Sequence, residues 1–398
     1  MSRQLINRSK DLKRLQDEGF EIQVRDGYLI VHSIPYVNSS REIKLGKLIA
    51  QLSIANERVS KPVTHVIHFM GEMPCSKDGT PILGIQHGNP NTKLSDNVIM
   101  NYSFSNKPKN GYSDHYQQVT MYEEIISAPA KSMNSKLTSR TFKQMQEEYA
   151  SVFKYFDTNA SRANILPFLR RFNEQRIAIV GVGGTGSYIL DLIAKVPVQE
   201  IHLYDGDLMR QHNAFRAPGA AGEDEFDVPK VEYFGEMYSK IHSGIKQHPH
   251  FIEESNLSEL KDNSLVFLCV DNNDTRKLII NYLKEQCVTV IDIGLGVNKV
   301  NDSFIGTVRV TTIDAAHNDH LERRVPMEEP GENEYAPNIQ IVELNAIGAA
   351  MAVIRWKKLL SFYQDLEREY NATYTINVSQ LQNDECDIES NEGDEIAA

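Results

Sequence analysis

The stretch "RIAIVGVGGTGSYILDLIAKVPVQEIHLYDGD", residues 176–207, packs four glycines into the six positions 181–186 and ends on two aspartates. "RIAIVG" has the composition of a buried strand, "TGSYILDLIAKV" that of a helix, and "EIHLYDGD" that of a second strand. Gly181, Gly183 and Gly186 satisfy GxGxxG where the strand passes into the helix, with Gly184 between them. Glycines there permit a tight turn and close backbone approach, and the helix N-terminus offers free N–H groups to a phosphate. Asp205 closes the second strand 19 residues after Gly186, where a carboxylate can accept hydrogen bonds from ribose hydroxyls. A nucleotide with an unmodified ribose is therefore expected, and to this point a nicotinamide cofactor fits as well as a triphosphate.

The residues that follow argue against the nicotinamide cofactor. "YDGDLMRQHNAFRAPG" brings Asp205, Asp207, Asn213 and Arg216 within twelve positions, and Lys230 follows in "FDVPKVEY". Hydride transfer gives such a cationic pair no role. Cleavage of a triphosphate does, because negative charge moves onto the departing pyrophosphate and fixed cations stabilise it. Magnesium asks for hard oxygen ligands. Asp271, in "LVFLCVDNNDTRK", ends a later apolar strand, on the side where open α/β sheets bind ligands.

Around this centre, strands and helices alternate through residues 176–300: "SLVFLCVDN" and "VTVIDIGLG" are further strands, then "GTVRVTTI", and "NAIGAAMAVIRWKKLLSFYQDLEREY" is expected as one long helix. The fold class is α/β, a doubly wound Rossmann-like sheet, preceded by a smaller α+β domain over residues 1–150. In that first domain "SKDLKRLQDEGF" suggests an opening helix. "EIQVRDGYLIVHSIPYV" suggests a hairpin turning at Arg25-Asp26-Gly27, and "THVIHFMGEMPCSKDGTPI" a second one turning at Lys77-Asp78-Gly79. Residues 151–175 form a connection, 176–372 the nucleotide domain, and 383–398 an acidic, disordered tail.

Composition narrows the classes. A net charge of −12 gives no electrostatic reason to bind nucleic acid or an anionic membrane. No apolar run is long enough to span a bilayer, and "MSRQLINRSKDLKRLQDEGF" has no leader-like apolar core, so a cytoplasmic protein is expected. The four cysteines, Cys75, Cys269, Cys287 and Cys386, are scattered without any CxxC, which fits a reducing compartment and predicts no disulfide framework and no zinc.

The ordered pattern GxGGxG, strand ending in DxD, NxxR, Lys, strand ending in Asp resembles the ThiF/MoeB/HesA superfamily, the fold of ubiquitin-activating enzymes and of their sulfur-carrier counterparts; the likeness covers about residues 160–365. The resemblance implies ATP-dependent adenylation of the C-terminal carboxylate of a ubiquitin-like or sulfur-carrier protein ending in Gly-Gly, with release of pyrophosphate. It implies that the turn of Gly181, Gly183, Gly184 and Gly186 holds the ATP phosphates and that Asp205 binds the ribose with Asp207 nearby. It further implies that Asn213, Arg216 and Lys230 contact phosphates and that Asp271 holds magnesium. The family usually adds an arginine from a neighbouring subunit, for which Arg162 in "NASRANI" is the nearest match, in competition with Arg170 and Arg171. A homodimer is implied, with a conjugating enzyme or other acceptor downstream, in a bacterial ubiquitin-like pathway. Alternatives on the same turn are an NAD- or FAD-linked oxidoreductase and a non-catalytic nucleotide-binding scaffold.

The departures from that pattern concern thiols. Many relatives carry a thioester-forming cysteine in the crossover segment, whereas residues 297–344 contain none. Cys287 and Cys269 are expected to be buried, Cys386 to lie in the mobile tail, and Cys75, in a turn-rich loop, to be the best remaining thiol. His317 and His320, at His-x-x-His spacing, suggest a polar loop, and His65 and His68 cannot chelate one ion from a single strand. His87 only faintly suggests the His-Pro-Asn loop of conjugating enzymes, and Trp356 is expected to anchor the final helix in the core.

Overall fold

The structure, a computed structural model, describes residues 2–55, 58–95, 98–143, 151–155, 157–163, 165–327 and 339–386. The chain divides into two compact units, Met1–Ser151 with Tyr155–Phe168, and Val152–Lys154 with Leu169–Ala398.

The first unit opens with helices α1 (Ser2–Arg8) and α2 (Lys10–Asp17), the latter burying Leu12 and Leu15. Its sheet is antiparallel, in the order β1-β2-β3-β6-β10-β7: β1 (Ile22–Arg25), β2 (Tyr28–Val37), β3 (Ile43–Gln51), β6 (Val66–Met70), β7 (Gln86–Gly88) and β10 (Tyr102–Ser105). Two small ribbons interrupt the order, β4 (Ile54–Ala55) with β5 (Arg58–Val59) and β8 (Thr92–Ser95) with β9 (Val98–Met100). Side chains alternate along the strands. Leu29 and Val31 face α2 and helix α3 (His115–Met133), while Ile30 packs with Leu94, Val98 and Met100 on the other face. Asp114 caps α3 by accepting from the Gln117 N–H at 2.8 Å. The first expected hairpin forms at Arg25–Tyr28; of the second, the turn over Ser76–Thr80 forms, but its arms reduce to an isolated bridge of Cys75 with Pro81, Cys75 also bridging Val37 of β2. Short helices α4 (Thr158–Arg162) and α5 (Leu166–Leu169) follow.

The second unit holds an eight-stranded sheet in the order β13-β12-β11-β14-β15-β16-β17-β18: β11 (Arg176–Val180), β12 (Glu200–Tyr204), β13 (Ile245–His248), β14 (Leu265–Leu268), β15 (Thr289–Val300), β16 (Ser303–Ile313), β17 (Glu369–Thr375) and β18 (Gln380–Cys386). The first five strands in that order are parallel and the rest antiparallel. Strand order reverses between β11 and β14, which opens the crevice where such sheets take ligands. Ala178, Val180, Val266 and Leu268 point to the face covered by α9 (Asn273–Glu285), and Phe267 points the other way, towards Trp356 of α11 (Val342–Leu359). Helices α6 (Gly184–Ile193), α7 (Gln211–Ala214), α8 (Lys230–Ser239) and α10 (Leu321–Arg324) complete the unit.

Two expectations are corrected. The final helix stops at Leu359, and the segment expected to extend it to Tyr370 instead turns through Ser361 at φ 55° into β17. The expected disordered tail begins too early: 383–386 belong to β18, in which Asn383, Asp384 and Cys386 pair with Ala372, Asn371 and Glu369 of β17 and Arg324 holds the Glu385 carboxylate at 2.9 Å. Residues 387–398 of that tail lie outside the described residues. Among the described residues no helix is long and apolar enough to cross a membrane.

Candidate nucleotide site

The glycines of the turn are used for close approach. Gly181 has φ +87°, and a Cβ on it would meet the Cys269 carbonyl oxygen at 2.7 Å. A Cβ on Gly186 would run into the Gly181 carbonyl, and one on Gly184 would overlap the side-chain amide of Asn345. Gly183 differs: its Cβ direction meets nothing within 4 Å. Of the four glycines it is the one that borders open space, at the N-cap of α6.

Asp205 follows β12 and is buried. Its Oδ2 accepts from the Val182 N–H at 2.8 Å and its Oδ1 from the Asp207 N–H at 2.9 Å, so the carboxylate ties the glycine turn to the second strand. Lys230, the first residue of α8, is also buried; its Nζ lies 3.5 Å from Asp205 Oδ1 and 2.6 Å from the exposed Asp207 carboxylate. Burial pushes the Asp205 carboxyl up, and the Lys230 ammonium and the two backbone N–H donors pull against that rise.

Asn213 is 3% exposed. Its Oδ1 accepts from the Arg210 N–H at 2.9 Å, while its Nδ2 is buried with no hydrogen-bond partner among the described residues. Arg216 likewise has a buried Nε with no partner among the described residues. Orphaned buried donors cost stability unless something accepts from them, and two on one loop suit an anionic ligand. Asn345, fully buried on α11, joins this loop to the turn: its Nδ2 donates to the Arg216 carbonyl at 3.3 Å, and its Oδ1 accepts from the Thr185 hydroxyl at 3.0 Å.

Asp271 stands exposed three residues past β14. The backbone on both sides of it is held. Arg276 Nη2 donates to the Val270 carbonyl at 2.5 Å, and Asn272 caps α9 through the Thr275 N–H at 2.7 Å. Arg276 also meets the fully buried Asp292 at 3.0 Å, whose second oxygen takes Arg309 at 2.6 Å.

The structure thus brings Asp205, Asp207 and Lys230 into one contact group, with Asn213 and Arg216 joined to the glycine turn through Asn345. Arg162 ends α4, and its side chain lies outside the described residues. Arg171 donates to the Leu360 and Ser361 carbonyls at the end of α11. Sequence reasoning missed Asn345, Arg276, Asp292 and Arg309. Asn345 sits 129 residues from the carbonyl that it binds, so no local pattern marks it; Arg276 and Asp292 were legible only as a charged residue inside an amphipathic helix and an acid inside an apolar strand.

The cysteine expectations are corrected as well. Cys75 is fully buried, bridged by backbone to Val37 and Pro81, and burial pushes its thiol up, away from the reactive thiolate. Cys287 is exposed instead, in the left-handed region at φ 57° just past α9, because the chain must reverse there before β15. Cys386 is half-buried in β18. His320 is buried and binds the Thr312 carbonyl, and His317 pairs with Asp314.

A doubly wound sheet, parallel over its first five strands, with a glycine turn between β11 and α6 closed by an aspartate from β12, defines an α/β domain of the Rossmann type. The ThiF family model matches residues 156–394, more than half of the sequence, and the chain belongs to the ThiF family. Residues 10–158 match a model described as a domain of unknown function, DUF6791. Among curated relatives, ubiquitin-like modifier-activating enzyme 5 of Drosophila virilis is 27% identical over 158 residues, covering 35% of this chain and 38% of its own length. The Branchiostoma floridae protein of the same name is 27% identical over 155 residues, with the same shares. The chain therefore spans less than two-fifths of these relatives. Among solved structures, E. coli MccB with ATP is similar at TM-score 0.46 and 16% identity, covering 58% of this chain and 72% of that one. PaaA is similar at TM-score 0.45 and 16% identity, covering 67% and 95%.

Proposed function

We propose that this protein adenylates the C-terminal carboxylate of a ubiquitin-like or sulfur-carrier protein ending in Gly-Gly. A carboxylate oxygen attacks the α-phosphorus of ATP, the bond to the bridging oxygen of the β-phosphate breaks, and pyrophosphate leaves with the electron pair. The acyl-adenylate retains AMP. The observation that carries this reading is the pair of orphaned buried donors, Asn213 Nδ2 and Arg216 Nε, on the loop that Asn345 joins to the glycine turn. Family membership and the similarity to ubiquitin-like modifier-activating enzymes support it.

In this reading Gly181, Gly183, Gly184 and Gly186 shape the phosphate cradle, and Gly183 supplies the open side. Asp205 holds the turn and faces the ribose, with Asp207 beside it. Asn213, Arg216 and Lys230 carry the charge that develops on pyrophosphate. The exposed Asp271 carboxylate is a hard oxygen donor on a braced loop, which suits magnesium; the ion supplies charge neutralisation on the phosphates. Arg162 is assigned as the arginine contributed across a homodimer. With Cys75 buried and no cysteine in 297–344, the adenylate passes directly to an acceptor, a conjugating enzyme or another nucleophile, in a cytoplasmic and bacterial pathway.

The test is ATP–pyrophosphate exchange by the full chain, supplied with ubiquitin-like proteins ending in Gly-Gly. Exchange dependent on such a protein is expected. ATP binding without exchange for any of them would leave a scaffold, and NAD binding as tight as ATP binding would favour an oxidoreductase.

A further inference from the structure

At the free edge of the large sheet lies a cluster of side chains that the nucleotide chemistry does not use. His248 ends β13, His250 follows two residues later, and Glu259 lies in the helical turn Leu257–Leu260. His250 Nε2 is 3.2 Å and His248 Nδ1 is 3.9 Å from Glu259 Oε2, and one ligand atom from each of the three lies within 4.8 Å of the others. We propose that these three side chains bind one zinc-class divalent ion, which fastens the 249–260 loop to the edge of the sheet.

Four observations support this. The donor set is two imidazoles and one carboxylate, which suits zinc with a fourth position left for water. A tetrahedral ion with bonds of about 2.0–2.2 Å needs ligand atoms roughly 3.3 Å apart; the two separations to Glu259 Oε2 are 3.2 and 3.9 Å, and the histidine pair, within 4.8 Å, would close on the ion. The His248 ring is also oriented from behind. Its Nε2 is 3.1 Å from His202 Nδ1, and His202 Nε2 is 3.3 Å from Glu200 Oε2. With the carboxylate at the end of this relay accepting, each imidazole donates from Nε2, and the Nδ1 lone pair of His248 is left pointing towards Glu259. A relay of imidazole to carboxylate behind a ligand is the usual support of a metal-binding histidine. Finally, the ligands are held in place: His248 stacks on Tyr204 with ring centroids 4.3 Å apart, and the Tyr204 hydroxyl donates to the Glu259 carbonyl at 3.4 Å.

The site has a structural consequence. The loop it closes carries Phe251, whose ring packs over Gly206, between Asp205 and Asp207. Metal loading would order the segment that borders these aspartates. The inference does not depend on the reaction proposed above.

The experiment is titration of chelator-stripped full-length protein with zinc against a chromophoric chelator, with circular dichroism as the check on folding. One saturable site per chain is expected. His250→Ala and Glu259→Gln alter side chains that are 41% and 37% exposed, so both variants should fold; each should weaken zinc by about 100-fold or more. His202→Phe removes only the support and should weaken it by about 10–100-fold. Cys386→Ser should bind like the wild type, and cobalt should give a visible spectrum without a thiolate band. No saturable site, or a site unchanged in His250→Ala and Glu259→Gln, would overturn the proposal.

Discussion

The side-chain amide of Asn345 occupies the space where Gly184 would carry a Cβ. The open side of the turn is at Gly183 instead. The two adjacent glycines therefore separate fold from ligand. Gly184→Val must displace a buried amide that binds both Thr185 and the Arg216 carbonyl, and should cost about 1–3 kcal/mol by overpacking. Gly183→Ala, whose Cβ meets no described atom within 4 Å, should lose less stability than Gly184→Val, with some backbone cost at ψ −138°, and Gly183→Val should lose ATP binding. Urea unfolding beside calorimetric titration with ATP checks both. Wild-type-like affinity in a folded Gly183→Val protein would remove the turn from the nucleotide site.

Arg216→Ala tests the loop's role in chemistry. Among the described residues its Nε has no hydrogen-bond partner and its guanidinium no ion pair, so truncation leaves no counter-charge stranded there. Exchange should fall about 10²–10³-fold, the usual loss for one transition-state contact, with an unchanged unfolding midpoint. Asp271→Ala should give a comparable loss that rising magnesium concentration only partly restores. Full exchange in both variants would show that this loop and the strand end lie outside the reacting centre.

Lys230 calls for a different reading, because its removal strands the buried Asp205 carboxylate. Lys230→Ala should lower exchange and also destabilise the fold by about 3–5 kcal/mol. The pH dependence has a definite sign. Burial raises the Asp205 pKa in the folded state, so between the unfolded and folded values the folded protein binds more protons. Stability from this group therefore falls as pH rises through that window, and its cost is fully present above the folded pKa. Unfolding free energies of the wild type and Asp205→Asn, followed from neutral pH down to the ordinary carboxylate range, should differ in that direction: acidification should favour the wild type relative to the variant.

What the sequence made legible follows from the range of the interactions. The Gly181–Gly186 turn and Asp205 lie on adjacent elements, and their signal is a spacing within one βαβ unit. Lys230 and Asp271 were legible because each sits at the end of a helix or strand with strong apolar patterning. Asn345 and the Arg276–Asp292–Arg309 group were not, since each is defined by a partner that only the folded sheet brings near. The end of α11 was misjudged for a related reason: "FYQDLEREY" carries helical periodicity, but beyond it Asn371 and Ala372 pair with Thr311 and Val310 of β16, Asn371 is buried against the Thr311 hydroxyl, and this pairing overrides local preference. The histidines at 202, 248 and 250 come from adjacent parallel strands and the loop beyond them, so their proximity is a matter of register.

In the proposed reaction the thiols bear on how the adenylate would leave. Cys75 has no exposed surface, and its Sγ is 3.3 Å from the Met73 carbonyl, so it should resist alkylation in the native state. Cys287 should react readily, yet it precedes β15 at the N-terminal edge of the parallel sheet, whereas the glycine turn and Asp271 lie beyond the C-terminal ends of their strands. Cys287 lies two residues before β15, and the strand rise from Thr289 to Asp292 alone is about 10 Å. Neither thiol is placed to accept the acyl group. Cys75→Ala and Cys287→Ser should therefore retain full exchange, and a non-reducing gel of enzyme, ATP and a Gly-Gly protein should show no adduct sensitive to thiols. Mass spectrometry after a short iodoacetamide pulse should find Cys287 modified and Cys75 intact. An adduct abolished by Cys75→Ala would mean that the first unit opens to expose its core during turnover, and would make that unit the carrier of the activated protein.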